Sequence, residues 1–150
     1  MIDYHRPHIL IVSDDLDLGQ FLQDGLTIAG FWTSTVASAL QTLELFRLRT
    51  FDLMVVDGFL EGLGAEQLVR RLRAPASPES GGRTDIPIIV VAGSNEETSP
   101  EQVANMGADI VLYPPIEIEE LAVDLFGRIR EWRSKHPGRP WADQATQQQT

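Results

Sequence analysis

The sequence predicts an α/β fold in which a parallel sheet is covered by helices on both faces. Five short apolar runs recur along the 150 residues, and helical patterns lie between them. Four of these runs are continuous rather than alternating, which is typical of strands buried on both faces of a parallel sheet. Strands and helices that alternate in this way imply right-handed crossovers and a doubly wound sheet. The length suits a single domain.

The predicted strands are the apolar runs themselves. In chain order they are HILIVS (8–13), FWTSTV (31–36), LMVVD (53–57), IPIIVVA (86–92) and DIVLY (109–113). The last strand ends abruptly at Tyr113, because the next two residues are Pro114 and Pro115 and proline cannot donate to a sheet ladder.

A helix is predicted after each strand from apolar residues with three- and four-residue spacing. The fourth helix begins with a capping signature, in which Ser99 can cap, Pro100 suits the first turn and Gln102 can close a capping box. The residues expected to face the core are Leu18, Phe21, Leu22, Leu26 and Ala29, then Ala39, Leu40, Leu43 and Phe46, then Leu68, Val69 and Leu72, and last Ile118, Leu121, Ala122, Leu125, Ile129 and Trp132.

Two segments lack any such periodicity. Residues 74–85 are rich in Pro, Ser and Gly and are predicted to form a surface loop. Residues 136–150 are polar, so we expect a domain over residues 1–135 followed by a mobile tail. Trp141 lies in that tail and is expected to pack locally without a function.

The composition excludes several classes of function. There are 12 Lys and Arg residues against 22 Asp and Glu residues, a net charge of −10, which disfavours nucleic acid and anionic membranes as partners. The absence of cysteine excludes disulfides and thiolate metal sites. No apolar stretch approaches the ~20 residues of a membrane helix. The first residues, MIDYHRPH, are too polar and short for a signal peptide, so a cytoplasmic location is expected.

Carboxylates follow two of the predicted strands. The first strand runs into Ser13, Asp14 and Asp15, and the third ends in Asp57 and Gly58. Ligands of an open α/β sheet bind beyond the carboxyl ends of its strands, so these side chains converge if the two strands are neighbours. Clustered carboxylates repel each other unless a cation lies among them, and Mg²⁺ suits such a set. Asp-Gly after an apolar run is also a common turn, and that alternative stays open.

The order of four stretches resembles the response-regulator receiver family, the phospho-accepting domains of two-component signalling. The stretches are ILIVSDDLDL, FDLMVVDGFLEGLG, IPIIVVAG and MGADIVLYPPIEIEEL, and the resemblance covers roughly residues 8–134. It implies a flavodoxin-like fold with strand order 2-1-3-4-5, an order that comes from the family rather than from the residues. It also implies a role in a phosphorelay, as a signalling domain rather than an enzyme.

The resemblance assigns roles to individual residues. Asp57 stands at the phospho-acceptor position, where a carboxylate attacks phosphorus while a metal screens the phosphoryl oxygens. Asp14, Asp57 and the main-chain carbonyl of Phe59 would bind Mg²⁺. Asp15 would act nearby or through a water molecule.

This sequence also departs from the family pattern. The family's lysine at the end of the fifth strand is Pro114 here, and the proline that follows is kept as Pro115, a candidate cis-proline. The threonine or serine of the fourth strand is Ala92, and the switch aromatic of the fifth strand is Val111. Ser13 replaces the first acidic residue. A hydrogen bond to a charged group contributes ~1.5–3 kcal/mol, whereas inverting a two-state population requires ~5.5 kcal/mol, so these losses weaken the switch substantially.

Three functions follow as hypotheses. The first is an atypical, stand-alone receiver that acts by binding a protein partner, with weak or no phospho-switching. The alternative is a working receiver in which a histidine kinase phosphorylates Asp57. A remote third is a Mg²⁺-dependent phosphohydrolase of the haloacid-dehalogenase type, which requires an aspartate where Phe59 stands.

The resemblance also implies where partners bind. Members of the family dock partners or form homodimers through the face made by the fourth helix, the fifth strand and the fifth helix. In this chain that face includes residues 101–105 and 111–113. Since only a short tail follows residue 135, output is expected to pass through a separate protein.

Overall fold

The computed structural model describes residues 5–60, 62–74, 84–93 and 99–142. Most of the predicted loop 74–85 and the end of the predicted tail lie outside these ranges. The strands and helices alternate along the described chain. They are β1 (His8–Val12), α1 (Leu16–Ala29), β2 (Trp32–Val36), α2 (Ala39–Leu48), β3 (Leu53–Asp57), α3 (Ala65–Arg73), β4 (Ile88–Val91), α4 (Pro100–Met106), β5 (Ile110–Leu112) and α5 (Ile118–Ser134).

The five strands form one parallel sheet in the order β2-β1-β3-β4-β5. The predicted fold and strand order are therefore confirmed. Alternate strand residues face opposite sides of the sheet. Leu10 and Val56 pack on the side of α2, α3 and α4, whereas Ile11 and Val55 pack on the side of α1 and α5. Because both of their faces are buried, β1, β3 and β4 are apolar over nearly their whole length rather than alternating, whereas the edge strand β2 is partly exposed and contains three hydroxyl residues.

Local sequence signals set the helix ends. The Asp15 carboxylate accepts hydrogen bonds from the main chain at Asp17 and Leu18, which caps α1, and Gly30 ends that helix at a φ of 114°. The predicted capping box of α4 is present in full, with Ser99 and Gln102 bonded reciprocally.

Two of the residues expected in the core are exposed. Phe21 on α1 and Leu40 on α2 have exposed fractions of 46% and 65%. Each lies at the border of the apolar stripe of its helix, whereas Leu22 on α1 and Leu43 on α2 are less exposed. The α5 stripe is confirmed, with Leu121, Leu125 and Ile129 buried.

Arg73 joins three segments on the side of α3. Its guanidinium donates to the main-chain oxygens of Gly107 and Thr84 and to the carboxylate of Asp109. The same carboxylate accepts from the main-chain N–H of Ile88, which begins β4. Burial lowers the pKa of Arg73, and Asp109 and Asp85 oppose that shift.

Replacing Arg73 with Lys should lower the free energy of unfolding by about 2 kcal/mol, because the three acceptors are reached by three different nitrogens of the guanidinium and a single ammonium nitrogen cannot reach all of them. Urea unfolding of the variant measures the loss. Arg71→Lys, on the exposed side of the same helix, is the matched control and should unfold like the unmodified chain. Equal midpoints for both variants would contradict the role given to Arg73.

The segment that follows α5 is packed against the domain over residues 136–142, which differs from the mobile tail expected there. The main-chain N–H of Ala142 donates to Asp52, and Arg139 makes two hydrogen bonds of 2.9 Å to Asp85. Trp141 stacks on His5 and packs against the core on the α1 side. We call residues 136–142 the C-terminal strap.

The strap crosses the amino-terminal edge of the sheet, at the opposite end from Asp57. Asp52 precedes β3 and also accepts from the main-chain N–H of His8, so one buried carboxylate joins β1 to the strap. The Arg139 guanidinium lies over the ring of Trp132, 5.0 Å from its centroid. Because the strap is polar in composition, hydrophobic periodicity does not indicate these few specific contacts.

Acid should release the strap. Hydrogen bonds from Arg139 hold the pKa of Asp85 below its ordinary value. Since the folded pKa is depressed, the contribution of this pair is present above the unfolded pKa of about 3.9 and is lost as the pH falls through the folded value. Tryptophan fluorescence should therefore change below about pH 4. Asp85→Asn should show the released signal at neutral pH, and an unchanged titration in that variant would contradict the assignment.

Within the described residues, no helix is both long and apolar enough to cross a membrane.

Candidate functional site

The carboxyl ends of β1 and β3 bring the predicted site residues together. Val12 lies opposite Val56 in the sheet, so the residues that follow β1 lie beside Asp57 at the end of β3. Asp57 in turn lies opposite Val91, the last residue of β4. One cleft is lined by residues from all these strand ends and by Pro114 after β5. The convergence expected from the sequence is therefore present.

Asp57 is buried, with an exposed fraction of 6%. Its Oδ2 accepts a hydrogen bond of 2.9 Å from the hydroxyl of Ser13, and its Oδ1 accepts one of 2.9 Å from the main-chain N–H of Phe59. The second bond is an Asx turn, so the turn-forming role considered for Asp57 is real and coexists with its place in the cleft. Each carboxylate oxygen retains capacity for a further partner.

The two neighbouring carboxylates differ in their roles. Asp14 and Asp15 are both exposed and both line the cleft. Oδ1 of Asp15 is engaged in capping α1, with main-chain donors at 3.0 and 3.2 Å. Among the described residues, no group of three or more His, Cys, Asp or Glu side chains is arranged to hold a metal ion. The described residues of the site therefore supply fewer protein ligands than a metal site that is fully enclosed by side chains.

Three of the positions that depart from the family pattern, Ala92, Val111 and Pro114, lie near the cleft or the adjoining core. Ala92 is 1% exposed and its main-chain N–H donates to the carbonyl of Leu112. Val111 packs against the core on the side of α3 and α4. Pro114 lines the cleft, and the peptide bond between Pro114 and Pro115 is cis, the geometry expected from the resemblance.

The ring of Phe59 lies over the end of β4. A Cβ atom placed on Gly93 would be 1.4 Å from Cε2 of that ring, so only a glycine leaves room for it. The ring is 46% exposed and forms part of the cleft wall. Sequence reasoning assigned Phe59 a main-chain role alone and missed the ring, although a glycine directly after an apolar strand could have indicated a close approach.

The described lining of the cleft is acidic and apolar. Its residues are Asp14, Asp15, Leu18, Asp57, Phe59, Val91, Ala92, Gly93 and Pro114. No Lys, Arg or hydroxyl-bearing side chain occurs in this described lining. Such a surface can attract a divalent cation, but it supplies no positive side chain to a bound phosphoryl group.

Comparison with known proteins decides the family. The model of the response regulator receiver domain matches residues 9–125. The chain is a member of the response regulator receiver family. Receiver domains serve in two-component signalling and interact with histidine kinases and output domains. The resemblance read from the sequence is thus confirmed at the level of the family.

Among curated proteins, this receiver is similar to the regulatory protein VirG of Agrobacterium tumefaciens, with 32% identity over 114 residues. It is also similar to the transcriptional regulatory protein BaeR of Escherichia coli, with 32% identity over 120 residues. These alignments cover 75% and 80% of this chain but 40% and 47% of the relatives. The chain therefore spans less than half the length of these two relatives.

Among solved structures, the receiver is similar to a sensor protein from Polaromonas sp. JS666. The identity is 29%, the TM-score is 0.69, and the match covers 85% of this chain and 98% of that chain. A response regulator from Chloroflexus aurantiacus has a TM-score of 0.72 at 23% identity, covering 84% of this chain and 99% of that chain. The second comparison supports the fold.

Proposed function

We propose that this receiver domain acts by binding a protein partner, and that the chemical state of Asp57 is only weakly coupled to the rest of the domain. The observation that carries the proposal is the described lining of the cleft, which keeps the acceptor carboxylate but holds a proline at the lysine position. A phosphoryl group on Asp57 would meet Pro114 and Ala92 rather than an ammonium group and a hydroxyl.

The residues present fit a partly hydrated Mg²⁺ ion. Mg²⁺ in proteins is commonly bound by one or two carboxylates and keeps several water molecules. Asp14 and Asp57 would supply the carboxylates and the main-chain carbonyl of Phe59 a third oxygen, while Asp15 would contribute through water. When bound, the ion would screen the oxygens of an incoming phosphoryl group.

The chain's own residues determine what Asp57 can do as a nucleophile. The carboxylate is held by the Ser13 hydroxyl and the Phe59 N–H, and both bonds leave it oriented at the base of the cleft. Acceptance of a phosphoryl group is therefore chemically possible, and the working acceptor remains the second candidate function on this observation.

The domain differs from a switching receiver in the residues that would transmit phosphorylation of Asp57 to the rest of the fold. Val111 is already packed against the core and has no ring to move inward. Ala92 offers no hydroxyl that could follow a phosphoryl group. A ligand shifts a two-state equilibrium only by its difference in affinity for the two states, and without those contacts the difference is small.

The phosphohydrolase alternative finds little support. It requires an acid and base two residues after the nucleophile, and Phe59 occupies that position with its ring over Gly93. For partner contact, we propose the face of α4, β5 and α5, where a histidine kinase or an output protein would bind.

Phosphoryl transfer tests the proposal. The protein is incubated with acetyl phosphate and Mg²⁺, and the occupancy of Asp57 is measured by mass spectrometry, with Asp57→Asn as the control. We expect low occupancy and unchanged amide shifts in α4 and β5. Stoichiometric occupancy of Asp57 together with shifts in those elements would favour the working acceptor instead.

Replacing Ser13 with Asp should raise the affinity for Mg²⁺ about tenfold, equivalent to about 1.4 kcal/mol, because it adds a carboxylate next to Asp57. Ser13→Asn is the matched control, since asparagine has nearly the same shape as aspartate but carries no charge. Amide shifts at Asp14 and Asp57 during a Mg²⁺ titration measure both constants. Equal affinity in the two variants would show that Mg²⁺ does not bind at this position.

A further inference from the structure

The outer edge of the sheet at β2 is exposed, and the strand itself carries no charged side chain. Residues 31–37, FWTSTVA, contain no charged side chain in a chain whose net charge is −10. Trp32 and Thr35 are exposed at this edge. Soluble proteins commonly protect edge strands with charges, prolines or bulges, because unpaired N–H and C=O groups can pair with another strand. None of those devices occurs within β2 itself, although the guanidinium of Arg6 lies over the exposed ring of Trp32, 4.6 Å from its centroid.

The main-chain hydrogen bonds identify which groups of β2 point outward. Trp32 donates to the carbonyl of Pro7, and the carbonyl of Val36 accepts from Ser13, so both residues point towards β1. Strand residues alternate in direction, which places Ser34 on the β1 side and Thr33 and Thr35 at the free edge. Each of these two threonines offers one N–H and one C=O.

The opposite edge of the sheet is poorly suited to pairing. β5 has three residues, and Pro114 and Pro115 follow it closely. Proline has no N–H to donate, so a strand added there could not extend past this point. Of the two sheet edges, only β2 therefore presents a continuous pairing surface.

We propose that two copies of this chain pair through β2, antiparallel, about a twofold axis at Ser34. In this register Thr33 of one copy faces Thr35 of the other, and the two outward residues exchange both of their main-chain hydrogen bonds. The twofold axis generates an identical pair of hydrogen bonds between Thr35 of the first copy and Thr33 of the second, which gives four bonds between the copies. The result is a ten-stranded sheet, within the size range of open sheets.

A second copy is the occupant that this edge fits best, because the register is self-complementary and the two paired strands carry no charged side chain. The cation beside the strand, Arg6, does not repel a partner whose net charge is −10. Two strongly acidic chains repel wherever their charged surfaces meet. The helix residues bonded to the edge threonines are also uncharged: Thr27 contacts Thr33, and Gln23 contacts Thr35. In this arrangement the two Asp57 clefts point in opposite directions, and the face of α4, β5 and α5 stays free for a partner.

Cysteine cross-linking tests the register, since the chain has no cysteine of its own. Directly opposed residues of a non-hydrogen-bonded antiparallel pair have Cα atoms about 4.5 Å apart, within the range of a disulfide. Ser34→Cys should therefore form a disulfide-linked dimer on mild oxidation. Ala104→Cys, exposed on α4, is the control and should stay largely monomeric. Equal cross-linking of the two variants, or preferential cross-linking of Ala104→Cys, would overturn the proposal.

A proline at the edge tests the hydrogen bonds. Thr35→Pro removes an outward N–H that the sheet itself does not use, so the domain should fold and sediment as a monomer while the unmodified chain sediments as a dimer in the high micromolar range. A monomeric unmodified chain, or a folded variant that still dimerises, would overturn the proposal. If Thr35→Pro does not fold, the cross-linking of Ser34→Cys tests the proposed pairing instead.

Discussion

Adding a lysine and a hydroxyl to the cleft should restore the phospho-switch. In the variant Pro114→Lys with Ala92→Ser, beryllofluoride and Mg²⁺ should bind at least tenfold more tightly than to the unmodified chain. An ammonium contact and a hydroxyl contact with the charged group each contribute ~1.5–3 kcal/mol, and ~1.4 kcal/mol is a factor of ten in affinity. Serine is preferred at position 92 because that site is 1% exposed and a larger side chain would overpack it.

The matched control for this variant is Pro114→Met with Ala92→Ser, which has a chain of similar length but no charge. Affinities are measured by amide shift titration, and Asp57→Asn in the lysine background should abolish binding. Equal gains from methionine and lysine would show that the proline blocks the cleft by its shape. In that case the missing charge would not explain the loss.

Replacing Asp52 with Ala should lower the free energy of unfolding by about 2–5 kcal/mol. The carboxylate accepts hydrogen bonds from the main chain at His8 and at Ala142, and the second of these donors is buried. A buried donor that loses its acceptor costs ~1–3 kcal/mol. The variant should also weaken the attachment of the strap, because Ala142 loses this hydrogen bond.

Urea unfolding measures the loss in Asp52→Ala, with Asp52→Asn as the control that keeps one acceptor oxygen and should lose less. Since Asp52 lies at the amino-terminal edge of the sheet, away from the cleft, Mg²⁺ binding should not change in either variant. An unchanged unfolding midpoint in Asp52→Ala would contradict the anchoring role of this residue.

Much of the fold could be predicted because its physical signals are local. A strand buried on both faces needs an unbroken apolar run, and β1, β3 and β4 have one. Capping residues such as Ser99 act within one helical turn and are visible in a short window. The strand order came from the resemblance, since pairing depends on contacts that are distant in the sequence.

The candidate site was predictable in its positions but not in its contacts. Parallel strands end at a common edge, which places Asp14 beside Asp57 once the strand order implied by the resemblance makes β1 and β3 neighbours. The hydrogen bond from Ser13 to Asp57 and the ring of Phe59 over Gly93 depend on side-chain orientation, which periodicity does not encode. The strap was missed because a few specific contacts, such as that of Ala142 with Asp52, hold a segment of polar composition.

In the function proposed above, the cleft retains its acceptor carboxylate but couples it only weakly to the rest of the domain. A titration with beryllofluoride in the presence of Mg²⁺, followed by amide chemical shifts, tests it most directly, with Asp57→Asn as the control. We expect Mg²⁺ to shift residues near Asp14 and Asp57, and beryllofluoride to add little beyond them. Shifts that spread from Asp57 to β4, β5 and α4, and that vanish in Asp57→Asn, would contradict the account and establish a working switch.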